Sequence, residues 1–162
     1  MASLEIKKCQ KRRDALIRHI ENVFKSCNLL GGRLIEAGEI DLGHRLIANG
    51  LVHDHSKFYG VEWEYLTDDS KKHTPELFKA ALLQHQTINK HHPDAWIGGI
   101  RTMDRLYLAE MVCDFHARAT EFGNDLRDWI KEKATKRYSM VPQHKVYHEI
   151  KDMVDLLLDS AF

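Results

Sequence analysis

The stretch Leu51-Val52-His53-Asp54-His55-Ser56-Lys57 sets an imidazole directly beside a carboxylate where an apolar helical run ends. Neutral imidazole and carboxylate are the ligands that helices offer to a first-row divalent metal. Two adjacent side chains reach one ion only where helix geometry breaks. The apolar residues Leu46, Ile47, Ala48, Leu51 and Val52 place His53-Asp54 at the inner end of a helix that opens into a cleft. A His-Asp pair also arises often by chance as polar surface, so its meaning depends on what the rest of the chain brings to it.

Upstream, residues 4 to about 30 carry the helical stripe Leu4, Cys9, Leu16, Ile20, Val23, Phe24, Cys27 and Leu30. Gly31-Gly32 is expected to interrupt or kink this helix before Leu34-Ile35 resumes it. His19 lies beside the stripe, between Leu16 and Val23, and faces the core or its edge. The bland reading of such a histidine is one core-edge hydrogen bond; the functional one is a ligand brought against His53-Asp54 from another helix. Gly38 to Asp41 reads as a turn, with Asp41 as cap of a short helix ending near Val52. His44, nine residues before His53, falls on the opposite face at ~100° per residue and reads as structural.

Downstream, Lys57 follows Asp54 by three residues and can point a cation into the same cleft. Beside a metal that suits a phosphate; the bland alternative is a solvated lysine. A lid-like turn leads into a short helix at 61–66, and 67–73 is the expected polar loop. Thr74-Pro75 opens a helix as cap and first-turn proline. On it Leu77, Phe78, Ala81, Leu82 and His85 share one face, so His85 points inward. Pro93 ends this helix near His91-His92. With no cysteine pair beside them a zinc finger is excluded, and the three histidines suggest a second metal or phosphate pocket.

Thr102 is expected to cap the next helix, which runs to about Phe122 before Gly123. Asp114 sits there among Met111, Val112, Cys113 and Phe115. A carboxylate in such company is costly unless it is paired or on a metal. The pairing alternative is Arg118 at i+4, and Glu110, one turn earlier, is a fallback ligand. Asn124 should cap a further helix that fades into a charged stretch at 131–137, and Pro142 should start the last one. His144 and His148 are spaced i,i+4 but have no carboxylate or thiol partner, and read as surface. No strand, repeat or low-complexity segment stands out, so the chain reads as one all-α domain, 1–162, of about six or seven helices.

Composition narrows the function. Lysine plus arginine and aspartate plus glutamate are 24 each, which gives no basic excess for non-specific binding of nucleic acid or a membrane. The three cysteines are odd in number and lack CxxC spacing, which fits a reducing, cytoplasmic setting. No apolar run approaches ~18 residues. Eleven histidines are the unusual feature. Exposed apolar stripes leave room for a homodimer, although no heptads run on for a coiled coil.

The order His19, His53-Asp54, Asp114 resembles the HD superfamily of metal-dependent phosphohydrolases. His53-Asp54-His55-Ser56-Lys57-Phe58, then His85-x3-Asn89-Lys90-His91-His92-Pro93-Asp94-x-Trp96, then Glu110-Met111-Val112-Cys113-Asp114 is similar to small, little-characterised HD-like proteins of phages and bacteria. Lys57, the mid-helix His85 and the His91-His92 pair also resemble HD-GYP phosphodiesterases. The Gly-Tyr-Pro signature is absent, since Pro93-Asp94-Ala95-Trp96 stands in its place, and cyclic-dinucleotide specificity does not carry over.

The resemblance implies an HD-like helical bundle in which His19, His53, Asp54 and Asp114 hold one metal. Asp54 would bridge to a second held by His85, His91 and His92. Such a pair supplies activated water at neutral pH and clamps a phosphoryl group. Asp54 and Lys57 would then be catalytic, with Lys57, His116 and Arg118 on the substrate, a nucleotide or related phosphate ester. A histidine-rich set suits Fe, Mn, Co or Zn better than Mg. Two alternatives stand beside hydrolysis: di-iron oxygenase chemistry on a similar ligand set, and a non-catalytic effector that binds a nucleotide or a protein around structural metals.

Overall fold

Helix α1 runs unbroken from Ala2 to Glu36, straight through Gly31-Gly32, in the computed structural model, which describes residues 2–67 and 74–159. The kink expected at the glycines is absent because they do a different job. After a turn through Gly38 (φ 90°), α2 (Ile40–Val52) folds back along α1 with almost no space between the backbones. A Cβ on Gly31 would sit 2.6 Å from Ile47 Cγ1, and one on Gly43 would sit 2.4 Å from the Gly31 carbonyl oxygen. A Cβ on Gly50 would come within 2.7 Å of Cys27 Cβ. These three glycines fix the depth and register of the antiparallel pair. That register carries His53, at the end of α2, back to the level of His19.

Helix α3 (Gly60–Thr67) and helix α4 (Pro75–Ile88) pack on each other, and α5 (Arg105–Phe122) lies against both α1 and α2. A helix at 126–137 contains a π-helical turn, Ile130–Ala134, and the last helix is Lys145–Leu158. Short 3-10 turns stand at His55–Phe58, Pro93–Ala95 and Gly99–Thr102. The described residues thus form seven helices and no strand, the all-α architecture expected. One core joins Val23, Cys27, Leu30 and Leu34 of α1 to Leu46 of α2, Leu108, Met111 and Val112 of α5, and Ile150, Met153 and Leu157 of the last helix. Each fully buried leucine or methionine contributes roughly 1.5–3 kcal/mol.

Several boundaries differ from the sequence reading. Glu39, not Asp41, precedes α2, and Asp41 stands in its first turn. Thr102 belongs to a 3-10 turn, and α5 is capped by Asp104, whose side chain accepts from the Leu106 amide. Asp125 rather than Asn124 caps the next helix, and the last begins at Lys145, three residues past Pro142. In each case a neighbouring polar group or turn took the position, which local sequence does not rank. The 131–137 stretch stays helical because its π turn lets Thr135 bond the Ile130 carbonyl. Thr74 caps α4 as expected, accepting from the Leu77 amide. The loop expected at 67–73 lies, beyond Thr67, outside the described residues. None of the described helices is long and apolar enough to cross a membrane.

The glycine contacts make a signed prediction. In an exposed helix Gly→Ala stabilises by roughly 0.5–1 kcal/mol. At Gly43 the added methyl has no space, so Gly43→Ala should instead cost about 1–3 kcal/mol. That lowers the melting temperature by several degrees, read by calorimetry. A rise in melting temperature would show that the helices are not held at this separation.

Candidate metal centre

The break in helix geometry that a His-Asp pair needs is present. Helix α2 stops at Val52, His53 turns to extended backbone (φ −52°, ψ 134°), and Asp54 adopts the left-handed conformation (φ 54°, ψ 23°). Aspartate is one of the few residues that tolerate that region without large strain. The turn lets both neighbours aim inward, and each is only 2% exposed. Lys57, one 3-10 turn on, closes its amide on the Asp54 carbonyl (2.9 Å) and sets its ammonium 2.5 Å from Asp54 Oδ2.

Helix α4 ends at Ile88, short of the His91-His92 end expected. Asn89 leaves the helix to donate its side-chain amide to the His85 carbonyl (2.9 Å) and Ser56 Oγ (2.8 Å). The following turn folds His91 and His92 back beside His85. From the opposite side α1 presents His19 and α5 presents Asp114.

All seven sequence-predicted ligands meet here. Asp54, His85, His91 and His92 form one group that could hold a metal ion, His19, His53 and Asp54 a second, and His53, His91 and Asp114 a third. Within each group one ligand atom per residue lies within 4.8 Å of the others. His53 Nε2, Asp54 Oδ1, His91 Nε2 and Asp114 Oδ1 are buried without a hydrogen-bond partner. His19 Nε2 stands 3.1 Å from Asp114 Oδ1, and His91 Nε2 stands 3.4 Å from Asp54 Oδ1. Burying such atoms unsatisfied costs roughly 1–3 kcal/mol each, more when charged. Four of them converging fits a cation shared among lone pairs.

The opposite edge of each ring supports this. His53 Nδ1 is 3.0 Å and His91 Nδ1 3.3 Å from Glu110 Oε1. His19 Nδ1 lies 3.0 Å from Glu121, and His85 Nδ1 lies 2.8 Å from Glu62. A carboxylate at Nδ1 holds the proton there and leaves Nε2 as a lone pair facing the centre, the carboxylate–histidine arrangement typical of metal sites. Glu110, read from the sequence as a fallback ligand, is therefore the brace of two imidazoles, steadied by Asn49 Nδ2 at 3.0 Å. The sequence reading gave no role to Glu121, Glu62, Ser56 or Asn89, although Ser56 and Asn89 stand in the stretches quoted for the resemblance. A signal existed for one of them: Glu110, Asp114 and Glu121 are spaced i, i+4, i+11, within ~40° on one helix face.

Two expected substrate residues bond outside the ligand cluster. His116 Nδ1 is 2.9 Å from Ser26 Oγ, and Arg118 pairs with Glu121 at 3.1 Å instead of with Asp114. Arg118 thereby steadies the carboxylate that orients His19. His44, read as structural, is exposed; His148 is exposed as expected, whereas His144 is partly buried.

Electrostatics follow from this crowding. Burial alone would raise the Asp54 carboxyl, but His53, Lys57, His85 and His91 hold it well below the usual range. Burial likewise opposes ionisation of Glu110, yet hydrogen bonds from His53 and His91 bring it down to about 2. Asp114 is held far down against its burial by His19, His53 and His91. His53 is raised despite burial by Asp54, Glu110 and Asp114. Burial, then the neighbouring His91 and His85, push His92 down to about 3, so it stays a neutral donor.

An all-α protein with a buried histidine–carboxylate centre is the class that fold and site define. Residues 8–160 match the family described as DUF5662, a family of unknown function, and the chain belongs to that family. No curated protein and no solved structure matches it.

Removing the Glu110 brace while keeping its shape, as Glu110→Gln, should weaken divalent metal binding about 10–100-fold with the fold intact, measured by competition with a chelating dye. Unchanged affinity would assign Glu110 to packing alone. In chelator-treated protein the depressed His92 and Glu110 stabilise the fold fully above their unfolded values, near 6.5 and 4.5, and lose that effect as pH falls towards 3 and 2. His53, raised, is constant below 6.5. The melting temperature should therefore fall steadily from pH 6.5 to pH 3, and less steeply in His92→Gln.

Proposed function

We propose that this protein is a metal-dependent phosphohydrolase acting on a nucleotide or related phosphate ester. The observation that carries the reading is the convergence of His19, His53, Asp54, His85, His91, His92 and Asp114 on one buried centre, with Lys57 at its edge. Their order along the chain resembles that of the HD phosphohydrolases. Nitrogen and carboxylate ligands suit Fe, Mn, Co or Zn, and the shared Asp54 suits one or two ions. When bound, such ions supply Lewis acidity and a nucleophilic water at neutral pH.

The chain's own residues supply the rest. Asp54 joins the two ligand groups, because Oδ1 faces His85 and His91 while Oδ2 faces His53 and Lys57. Lys57, about one-sixth exposed, is the cation that a phosphate oxygen would meet on entering. Glu110, Glu62 and Glu121 hold the imidazoles so that no reorientation is needed. A lysine beside the centre favours phosphate over oxygenase chemistry.

Elemental analysis of the purified protein should find about one or two transition metals per chain. His53→Ala and Asp54→Asn should lose both the metal and phosphate release from a nucleotide panel. Lys57→Ala should keep the metal while kcat/KM falls ~10²-fold. Oxygen uptake by iron-loaded protein without phosphate release would instead favour the oxygenase, and stoichiometric nucleotide binding without turnover the effector.

A further inference from the structure

Helices α3 and α4 face each other across a slot of about 160 Å³. Glu62, Tyr65 and Leu66 line it from α3, at i, i+3 and i+4; Phe78, Ala81, Leu82 and His85 line it from α4, at i, i+3, i+4 and i+7. Those two periodicities give each helix one continuous stripe towards the gap. The slot is graded along its length. Its inner end is Lys57, Glu62 and His85, of which Lys57 and His85 are also the residues that face Asp54 at the centre. Among the described residues its outer part is lined by apolar side chains, of which Phe78 is 49% and Leu82 39% exposed. The Tyr65 and Phe78 rings stand 5.6 Å apart, tilted by 52°. Glu62 is held in place there by His85 Nδ1 and the Ser56 hydroxyl.

Resting on the phosphohydrolase reading of the centre, we propose that this slot selects the substrate by its organic part. The ligand is a phosphate ester carrying a single apolar or aromatic ring, the phosphoryl group at Lys57 and the ring against the apolar wall of Tyr65, Leu66, Phe78 and Leu82. Size and lining favour this class. A cavity of about 150 Å³ lined by apolar side chains accommodates one benzene ring. A slot of that volume is filled by one ring, which favours a single-ring ester among the phosphate esters of the proposed class. Among the described residues few polar groups line the outer part, so discrimination there rests on apolar contact and shape. The cation and metal ligands at one end, with an apolar wall at the other, match the two ends of such an ester. Phe78, Leu82 and Tyr65 are then specificity residues that do not contact the centre themselves.

Phosphonates separate recognition from turnover, because their P–C bond is not hydrolysed. With manganese-loaded protein, phenylphosphonate should bind at least ~tenfold tighter than methylphosphonate by titration calorimetry, the gain expected from burying one ring face. Phe78→Ala and Leu82→Gln alter partly exposed side chains and should fold normally, checked by melting temperature. They should bring phenylphosphonate to the affinity of methylphosphonate and leave the latter unchanged. Equal binding of the two phosphonates by the wild type overturns the slot proposal alone, as does a phenyl preference that survives both substitutions. Failure of both phosphonates to bind overturns the phosphate reading of the centre and the slot proposal with it.

Discussion

A carboxylate 2% exposed inside a helical protein is tolerable only if its charge is answered on every side, and Asp54 sets that requirement for this fold. Its two oxygens face three imidazoles and one ammonium. Two of those imidazoles are buried and the third, His85, is partly so, and all need partners of their own, which Glu110 and Glu62 provide, as Glu121 does for His19. Charge compensation thus spreads outward in alternating sign, and α1, α2, α3, α4, α5 and the turn after α4 each contribute a member. Few arrangements of these helices satisfy all of them together.

Backbone geometry is subordinate to that network at two places. The left-handed conformation of Asp54 ends the helical path at the point where two adjacent side chains must face the same volume. Gly31, Gly43 and Gly50 let α1 and α2 approach so closely that a Cβ on any of the three would clash, and so place His19 opposite His53. Both features lie in or beside the machinery, which is where strained or over-close backbone is expected. The proposed hydrolase uses the same economy, since ligands already braced at Nδ1 need no rearrangement to receive an ion.

Much of the site was legible because its ligands obey simple periodic rules. His19 and His85 continue apolar stripes and Asp114 interrupts one, while Pro93 signalled a helix end near the two histidines that in fact comes at Ile88. Each rule concerns one helix and its inward face, so each could be read locally. The bracing carboxylates were not legible in the same way. Glu62 looks like any surface acid on a short helix until α4 lays His85 against it, and Glu121 gains its role only when α1 brings up His19. The helix caps were misplaced for a related reason. Asp41, Thr102 and Asn124 are good capping residues, but Glu39, Asp104 and Asp125 occupied the positions where the chain actually turned.

By itself, then, the sequence determined that the chain is all-α and which histidines and aspartates are the candidate ligands, because hydrophobic period and side-chain chemistry are properties of single segments. Only the tertiary structure decided which partner each ligand meets. Glu110 became a brace instead of a ligand, Arg118 joined Glu121 instead of Asp114, and the glycine pair became a contact instead of a kink. Those outcomes depend on distances between segments far apart in the chain, set by how closely α1 and α2 pack and by the burial of charge between them.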